Sequence, residues 1–209
     1  MQNLKIGRIV LGMCQTNFYF VYKEGEKKAI VFDPADKGDY LYEKLKESGF
    51  EIEGILLTHG HFDHILGVTK LKELSGAKVY AYEAEKVLCE DAYVNVSAQT
   101  GKGCTIEVDE YVKDGQEITL ADMTCKIIAT PGHTIGSCCY YFEEDKMLIS
   151  GDTLFLESVG RTDLPTGSMS KLKRSIKENL FVLPEDVKVY PGHGDSTTIG
   201  YEKQYNPFC

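Results

Sequence analysis

The sequence lacks long apolar runs and has no excess of basic residues. None of its 209 residues belongs to an apolar stretch near the ~20 residues that a membrane-spanning helix requires. Residues 1–8 show neither a basic segment before an apolar core nor a small-residue cleavage site. The formal net charge of -9 is opposite in sign to the basic patches of nucleic-acid-binding proteins. We therefore expect a cytoplasmic protein that binds neither membranes nor nucleic acid.

Paired cysteine spacings are also missing. The chain has seven cysteines, and none of them forms a CxxC arrangement. An odd, unpaired set predicts reduced thiols rather than a disulfide framework. The adjacent Cys138 and Cys139 could be soft ligands or a redox pair, but neighbours in a strand point to opposite faces, which favours simple packing.

Strand-like and helix-like periodicities alternate along the chain without a linker, a tandem repeat or a low-complexity segment. Strands are predicted at 5–11, 17–22, 29–32, 54–57, 78–81, 117–120, 124–129, 138–142, 147–149 and 187–190. Helices are predicted at 39–48, 65–75, 83–90 and 168–180, and residues 91–110 are predicted to be irregular. The order indicates two similar halves packed as a single α/β domain over residues 1–209.

Histidine is scarce, and its distribution is the main functional signal. Three of the five histidines fall within residues 58–64, directly after an apolar strand. His133 and His193 each follow a Pro-Gly pair, and Asp152 follows another apolar strand. A single histidine is usually a surface or core residue, but this set, placed on loops at strand ends, predicts a metal site.

The spacing of the first cluster predicts two adjacent metal positions. His59 and His61 are two residues apart in an extended turn, so both imidazoles can bind the same ion. Asp63 and His64 fall in the first turn of a helix, where the chain has changed direction, and they address a neighbouring position. Five imidazoles and two carboxylates suit Zn, Fe or Mn and are a poor set for Ca or Mg.

The run from His59 to His64, with the downstream histidines and Asp152, resembles the metallo-β-lactamase superfamily, whose fold is a four-layer αββα sandwich with a dinuclear site at one edge. Residues 130–134, 151–155, 158–163 and 191–194 are similar to the glyoxalase II (hydroxyacylglutathione hydrolase) group, and most similar to its short bacterial members. The resemblance implies two divalent ions per chain, with Zn expected and Fe or Mn as alternatives. It places one ion on His59, His61 and His133, the second on Asp63, His64 and His193, and Asp152 between them.

The same resemblance implies hydrolysis of a small-molecule thioester of the hydroxyacylglutathione type by a metal-bridging hydroxide. Asp63 and Asp152 are the expected catalytic residues, and Asp63 would also orient the hydroxide. A thiol of pKa ~8.5 can leave without a general acid. Arg161 is expected to bind a substrate carboxylate or to form a salt bridge within its loop. Glyoxalase II proteins carry a C-terminal glutathione-binding region, whereas this sequence ends soon after His193, which leaves the identity of the thiol open.

Other activities known for this fold are the alternatives. Persulfide dioxygenases resemble this sequence and use one iron held by the equivalents of His59, His133 and Asp152. A tRNA-processing nuclease is disfavoured by the acidic composition and the absence of an RNA-binding insertion. A zinc β-lactamase is disfavoured because that class is exported and has a cysteine where Asp152 stands. A purely structural metal site is disfavoured because such sites are closed by four protein ligands.

Overall fold

The computed structural model describes residues 3–101 and 103–209, which form two six-stranded sheets packed face to face. The N-terminal sheet has the strand order β1-β2-β3-β4-β5-β6, in which β1 to β3 are antiparallel and β3 to β6 are parallel. Its strands are β1 Leu4–Leu11, β2 Thr16–Lys23, β3 Lys28–Phe32, β4 Glu51–Leu56, β5 Lys78–Tyr82 and β6 Glu110–Val112.

The C-terminal sheet has the strand order β14-β13-β10-β9-β8-β7. Strands β7 to β10 form an antiparallel meander, and β13 then pairs in parallel with β10. A separate two-stranded hairpin, β11 with β12, follows β10. The strands are β7 Glu117–Leu120, β8 Met123–Ala129, β9 Cys138–Phe142, β10 Met147–Gly151, β11 Leu154–Phe155, β12 Ser158–Val159, β13 Lys188–Pro191 and β14 Thr197–Thr198.

Helices cover the outer face of each sheet. Leu41 and Leu45 of α1 and Leu71 of α3 pack on the N-terminal sheet, while Leu172 of α5 packs on the C-terminal sheet. The helices are α1 Gly38–Glu47, α2 Phe62–Ile65, α3 Val68–Ser75, α4 Lys86–Glu90, α5 Met169–Ser175 and α6 Ile199–Tyr205, and α5 continues as a π-helical turn, Ile176–Leu180.

Three buried layers result from the period-2 alternation of the strands. Within β3, Ile30 and Phe32 face the opposite sheet, whereas Val31 faces α1 and α3. Within β9, Cys138 faces the N-terminal sheet and Cys139 faces the α5 layer, which fits packing rather than a paired role. All seven cysteines are free. The fold is the predicted single-domain αββα sandwich.

The boundaries differ from the prediction in a few places. The helix predicted at 65–75 is interrupted at Gly67, whose N–H donates to the Pro34 carbonyl at 2.8 Å, and a side chain there would collide with the 34–36 backbone. Residues 91–110, predicted to be irregular, contain a 3-10 turn, Ser97–Thr100, and the short strand β6 begins at Glu110; Lys102 lies outside the described residues. The β11–β12 hairpin, β14 and α6 were not predicted. In the described ranges, no helix is both long and apolar enough to cross a membrane.

Candidate metal centre

The candidate ligands gather because two pairs of parallel strands end at the same edge of the sandwich. His59 follows β4, which is parallel to β3, while Asp152 follows β10, which is parallel to β13, the strand before His193. The Gly192 N–H donates to the Gly151 carbonyl at 2.8 Å and so joins the last two loops. A side chain at Gly192 would collide with Asp152 and His64, so the close approach of these loops requires glycine there.

Three histidines form the first group of ligand atoms. His133 Nε2 lies 2.8 Å from His61 Nδ1 and 3.2 Å from His59 Nε2, and all three side chains are buried. Burial, with the neighbouring imidazoles, lowers the pKa of His61 to about 3 and the pKa of His59 well below its usual range. Burial also lowers the pKa of His133. These rings are therefore neutral at pH 7, and one nitrogen of each ring lies within 4.8 Å of the other two.

Asp63, His64 and His193 form the second group. His193 Nε2 is 3.3 Å and His64 Nε2 is 3.7 Å from Asp63 Oδ2. Burial alone would lower the pKa of both imidazoles. For His193, hydrogen bonds to Asp152 and Asp63 outweigh burial and raise the pKa to about 9. For His64, the charges of Asp152, Asp63 and Asp33 raise the pKa well above its usual value.

Asp152 lies between the two groups. Its carboxylate oxygens are 3.4 Å from His64 Nε2, 3.4 Å from His193 Nε2 and 3.5 Å from His133 Nε2. Burial would raise its pKa, but His64 and His193 hold it well below the usual range. Asp152 is therefore a carboxylate in contact with members of both groups.

Asp33, which the sequence analysis did not single out, orients the second group. It is buried at the end of β3, and its Oδ2 lies 2.9 Å from His64 Nδ1, so Nε2 of the same ring faces the ligand cluster. Asp33 also accepts hydrogen bonds from the Thr58 backbone N–H at 2.8 Å and hydroxyl at 2.6 Å. A carboxylate that fixes the far nitrogen of a ligand histidine sets its tautomer and orientation. Asp33 directly follows β3, the parallel neighbour of β4, so its place at the end of that strand was the sequence signal that could have indicated its role.

Glu85 is a second buried residue that the sequence analysis missed. Its carboxylate accepts a hydrogen bond from the Gly60 N–H at 2.7 Å and from the Thr134 hydroxyl at 2.9 Å. Burial raises its pKa to about 7. Since Gly60 lies between His59 and His61 while Thr134 follows His133, Glu85 joins the two loops that supply the first group.

Asn17 holds the loop of His193 against the N-terminal sheet. Its backbone N–H donates to Gly192 at 2.8 Å, and its side-chain amide donates to the carbonyls of Pro191 and Gly194 at 2.8 and 2.9 Å. His193 Nδ1 lies 3.1 Å from the Cys14 carbonyl, which leaves Nε2 free to face Asp63 and Asp152.

The donor set fits divalent cations. Four buried side-chain atoms of the described residues have no hydrogen-bond partner. Three belong to candidate ligands, namely His61 Nε2, His64 Nε2 and Asp152 Oδ1, and the fourth is Asp145 Oδ2. Each of the two ligand groups has its candidate atoms within 4.8 Å of one another. Imidazoles and carboxylates that converge in this way are stable only when a cation, or protons on the rings of the second group, balances the carboxylates.

A cavity of about 390 Å³ opens onto both groups. Arg161 lines it, and the Arg161 carbonyl lies 2.7 Å from His133 Nδ1. The Arg161 guanidinium forms two hydrogen bonds to the carboxylate of Asp163, at 2.7 and 2.9 Å. The structure therefore places Arg161 beside the candidate metal centre and also in the salt bridge within its loop.

A four-layer αββα sandwich with histidine and aspartate clusters at one edge defines a metallo-hydrolase architecture. A sequence profile described as the metallo-β-lactamase superfamily matches residues 11–193. The chain belongs to this superfamily, and the two clusters together with the family imply divalent metal ions.

Two curated relatives cover nearly the whole chain. The probable metallo-hydrolase YqgX of Bacillus subtilis is 36% identical over 98% of this chain and 97% of its own length. The hydroxyacylglutathione hydrolase GloC of Haemophilus influenzae is 33% identical over 88% of this chain and 89% of its own length.

Solved structures give the same fold. BLEG-1 B3 metallo-β-lactamase is similar with a TM-score of 0.93 and 38% identity, covering 98% of this chain and 99% of that one. TTHA1623 in a di-iron-bound form has a TM-score of 0.85 and 33% identity, with 97% and 100% coverage. ETHE1 from Myxococcus xanthus has a TM-score of 0.81 and 26% identity, with 97% and 83% coverage.

Proposed function

We propose that this protein is a metal-dependent hydrolase of small-molecule thioesters, of the hydroxyacylglutathione hydrolase type, with two divalent ions per chain. The observation that carries the proposal is the position of Asp152, whose carboxylate contacts His133 of one ligand group and His64 and His193 of the other. A carboxylate in this position suits two neighbouring ions better than one. Zn is the expected metal, and the di-iron form of TTHA1623 keeps iron as an alternative.

In this proposal His59, His61 and His133 would hold one ion, Asp63, His64 and His193 would hold the second, and Asp152 would contribute to both. Such ions would lower the pKa of water and polarise the substrate carbonyl. Asp63 is the candidate for orienting the attacking water. The hydroxyl of Thr16 donates to its Oδ2 at 3.0 Å, and His64 and His193 outweigh burial to lower its pKa to about 2, so it stays a carboxylate.

The similarity to GloC supports a thioester as the substrate class, because that relative is described as a hydroxyacylglutathione hydrolase. A thioester also suits the residues that line the cavity. His133 and His193 would be metal ligands and could not serve as general acids, and a thiolate can leave without being protonated. Arg161 is proposed as a substrate contact, although binding a substrate carboxylate would compete with its pair to Asp163.

The test combines metal analysis with an activity panel. Protein purified without added metal is analysed for its metal content, loaded with Zn, Fe or Mn, and assayed for thiol release from S-D-lactoylglutathione and S-acetylglutathione. Asp152→Ala is the inactivating variant, and Asp186→Ala, which removes an exposed carboxylate paired with Lys146, is the matched control. The proposal is wrong if fully loaded protein releases no thiol from any acyl thioester.

Two competing activities belong in the same panel. The ETHE1 similarity, at 26% identity, keeps a single-iron persulfide dioxygenase as the alternative, with iron on the equivalents of His59, His133 and Asp152. Persulfide-dependent oxygen uptake without thioester cleavage would support it. The 38% identity to BLEG-1 B3 metallo-β-lactamase makes β-lactam hydrolysis the second comparison, although the sequence analysis disfavoured that class.

A further inference from the structure

The cavity beside the candidate metal centre has a largely apolar wall. The histidines and aspartates on one side of this cavity are the candidate metal ligands. A substrate of the metal centre would therefore lie in the cavity. The apolar part of the wall consists of Phe62, Val96, Phe155, Val159 and Leu164. Ligand pockets are commonly lined in this way, with a few polar groups that fix orientation.

Exposed apolar side chains stand near lining residues in the sequence, on three of the loops that form the cavity. Met13, 79% exposed, is next to the lining residue Cys14, and Leu156, 42% exposed, is next to the lining residue Phe155. Tyr93, 80% exposed, lies in the loop that supplies Val96. Single exposed apolar residues are ordinary, but several on the loops that line one cavity suit a surface that binds an apolar ligand.

Positive charge is scarce in the same place. Among the described residues that line the cavity, Arg161 is the only lysine or arginine, and Asp163 already binds its guanidinium through two hydrogen bonds. Asp63 and Asp152 add negative charge to the lining, which metal ions would offset. The cavity therefore offers little free cationic surface for the carboxylates of a ligand such as glutathione.

We propose that the cavity selects thioesters with an apolar acyl group, and that Met13 and Leu156 extend the surface that this group covers. The proposal rests on the proposed thioester hydrolysis and specifies its substrate class. The acyl carbonyl lies at the metal centre while the alkyl chain covers the apolar wall.

The test uses one small, uncharged thiol so that only the acyl group varies. Metal-loaded protein is assayed with acetyl, butanoyl, hexanoyl and lactoyl thioesters of N-acetylcysteamine. Burial of each CH₂ contributes about 0.8 kcal/mol, so kcat/KM should rise about fourfold per added CH₂ when burial is complete. Binding of S-hexyl-N-acetylcysteamine, a thioether that cannot be hydrolysed, gives a second measurement by calorimetry.

Matched variants test whether the preference for apolar acyl groups depends on Met13 and Leu156 or on any exposed apolar residue. Met13→Ser and Leu156→Ser should each reduce the advantage of hexanoyl over acetyl, the ratio of their kcat/KM values, by threefold or more. Val182→Ser, a 70% exposed residue outside the lining of this cavity, should leave this ratio and acetyl turnover unchanged.

Failure of the apolar preference and failure of the proposed function give different results. If acetyl and lactoyl thioesters are hydrolysed as fast as hexanoyl, or if both serine variants behave like Val182→Ser, the apolar preference is wrong while the hydrolase stands. If charged glutathione thioesters are favoured more than tenfold over the N-acetylcysteamine series and Arg161→Ala removes that advantage, recognition runs through charge and the proposal is also wrong. If no thioester is cleaved, the proposed function itself fails.

Discussion

Asp33→Asn should weaken metal binding without removing any candidate ligand. Asp33 accepts three hydrogen bonds, two from Thr58 and one from His64 Nδ1. An asparagine amide has one oxygen, so either orientation of the amide leaves at least one buried donor facing an NH₂ group. Losing one such hydrogen bond to a charged acceptor costs about 1.5–3 kcal/mol, and we expect the free energy of unfolding to fall by about that amount.

The effect on metal should be confined mainly to the second ligand group. Without the carboxylate at Nδ1, the ring of His64 loses the acceptor that fixes its orientation and its tautomer when it binds metal, so Nε2 is held less firmly towards Asp63 and Asp152. Removing such an outer hydrogen bond typically costs 10–100-fold in metal affinity, so roughly that loss is expected for one of the two equivalents.

The assay is calorimetric titration of metal-free protein, with elemental analysis after dialysis and urea unfolding in parallel. Asp39→Asn is the matched control, because it makes the same charge change on an exposed side chain nearby in the chain. Our interpretation of Asp33 is refuted if Asp33→Asn binds two equivalents with unchanged affinity.

Three further predictions follow from the same geometry. Asp152→Ala should lose metal at both positions and nearly all turnover, whereas His193→Ala should chiefly weaken binding at the second position. Elemental analysis measures both losses. Loss of metal at a single position in both variants would contradict the assignment of Asp152 to both positions. Glu85→Ala leaves the Gly60 N–H buried without its acceptor, while the Thr134 hydroxyl keeps Ser137 as a partner, so urea unfolding should show a loss of about 1–3 kcal/mol, against less than about 0.5 kcal/mol for the exposed Glu83→Ala. Because the pKa of His193 is raised to about 9, its proton competes with metal at pH 7, so affinity for the second equivalent should increase as the pH rises towards about 9. Calorimetry in buffers of different ionisation enthalpy should detect proton release for that equivalent; its absence would contradict the charge state.

The sequence was informative about residues whose role is visible in their local context. The β-branched and aromatic strands and the apolar faces of α1 and α5 predicted the layers, since burial on one face produces a fixed period. The structure brings the seven predicted ligands together because each lies within a few residues of the end of a strand or the start of a helix at one edge. Their assignment to individual ions is still a prediction.

The missed residues depend on partners far away in the chain. Asp33 and Glu85 are ordinary carboxylates in the sequence, and only the pairing of β3 with β4 and the packing of the 83–85 turn give them buried donors to bind. Gly67 interrupts a helical pattern because the 34–36 backbone passes against it. The local periodicity of a sequence does not show contacts between residues that are far apart in the chain. The interrupted helix and the two carboxylates therefore required the structure.

The chain passes only once from the N-terminal to the C-terminal sheet within the described residues, between β6 and β7. Each ligand group nevertheless takes side chains from both sides of that crossing, His59 and His61 with His133 in one case. A cation in either position would act as a non-covalent cross-link between the two halves of the sandwich, and its binding free energy would oppose their separation rather than the opening of one loop. If the chain were divided at the turn of residues 113–116, each fragment would carry only part of each ligand group. Binding of metal to both complete groups would then require the two fragments to reassemble.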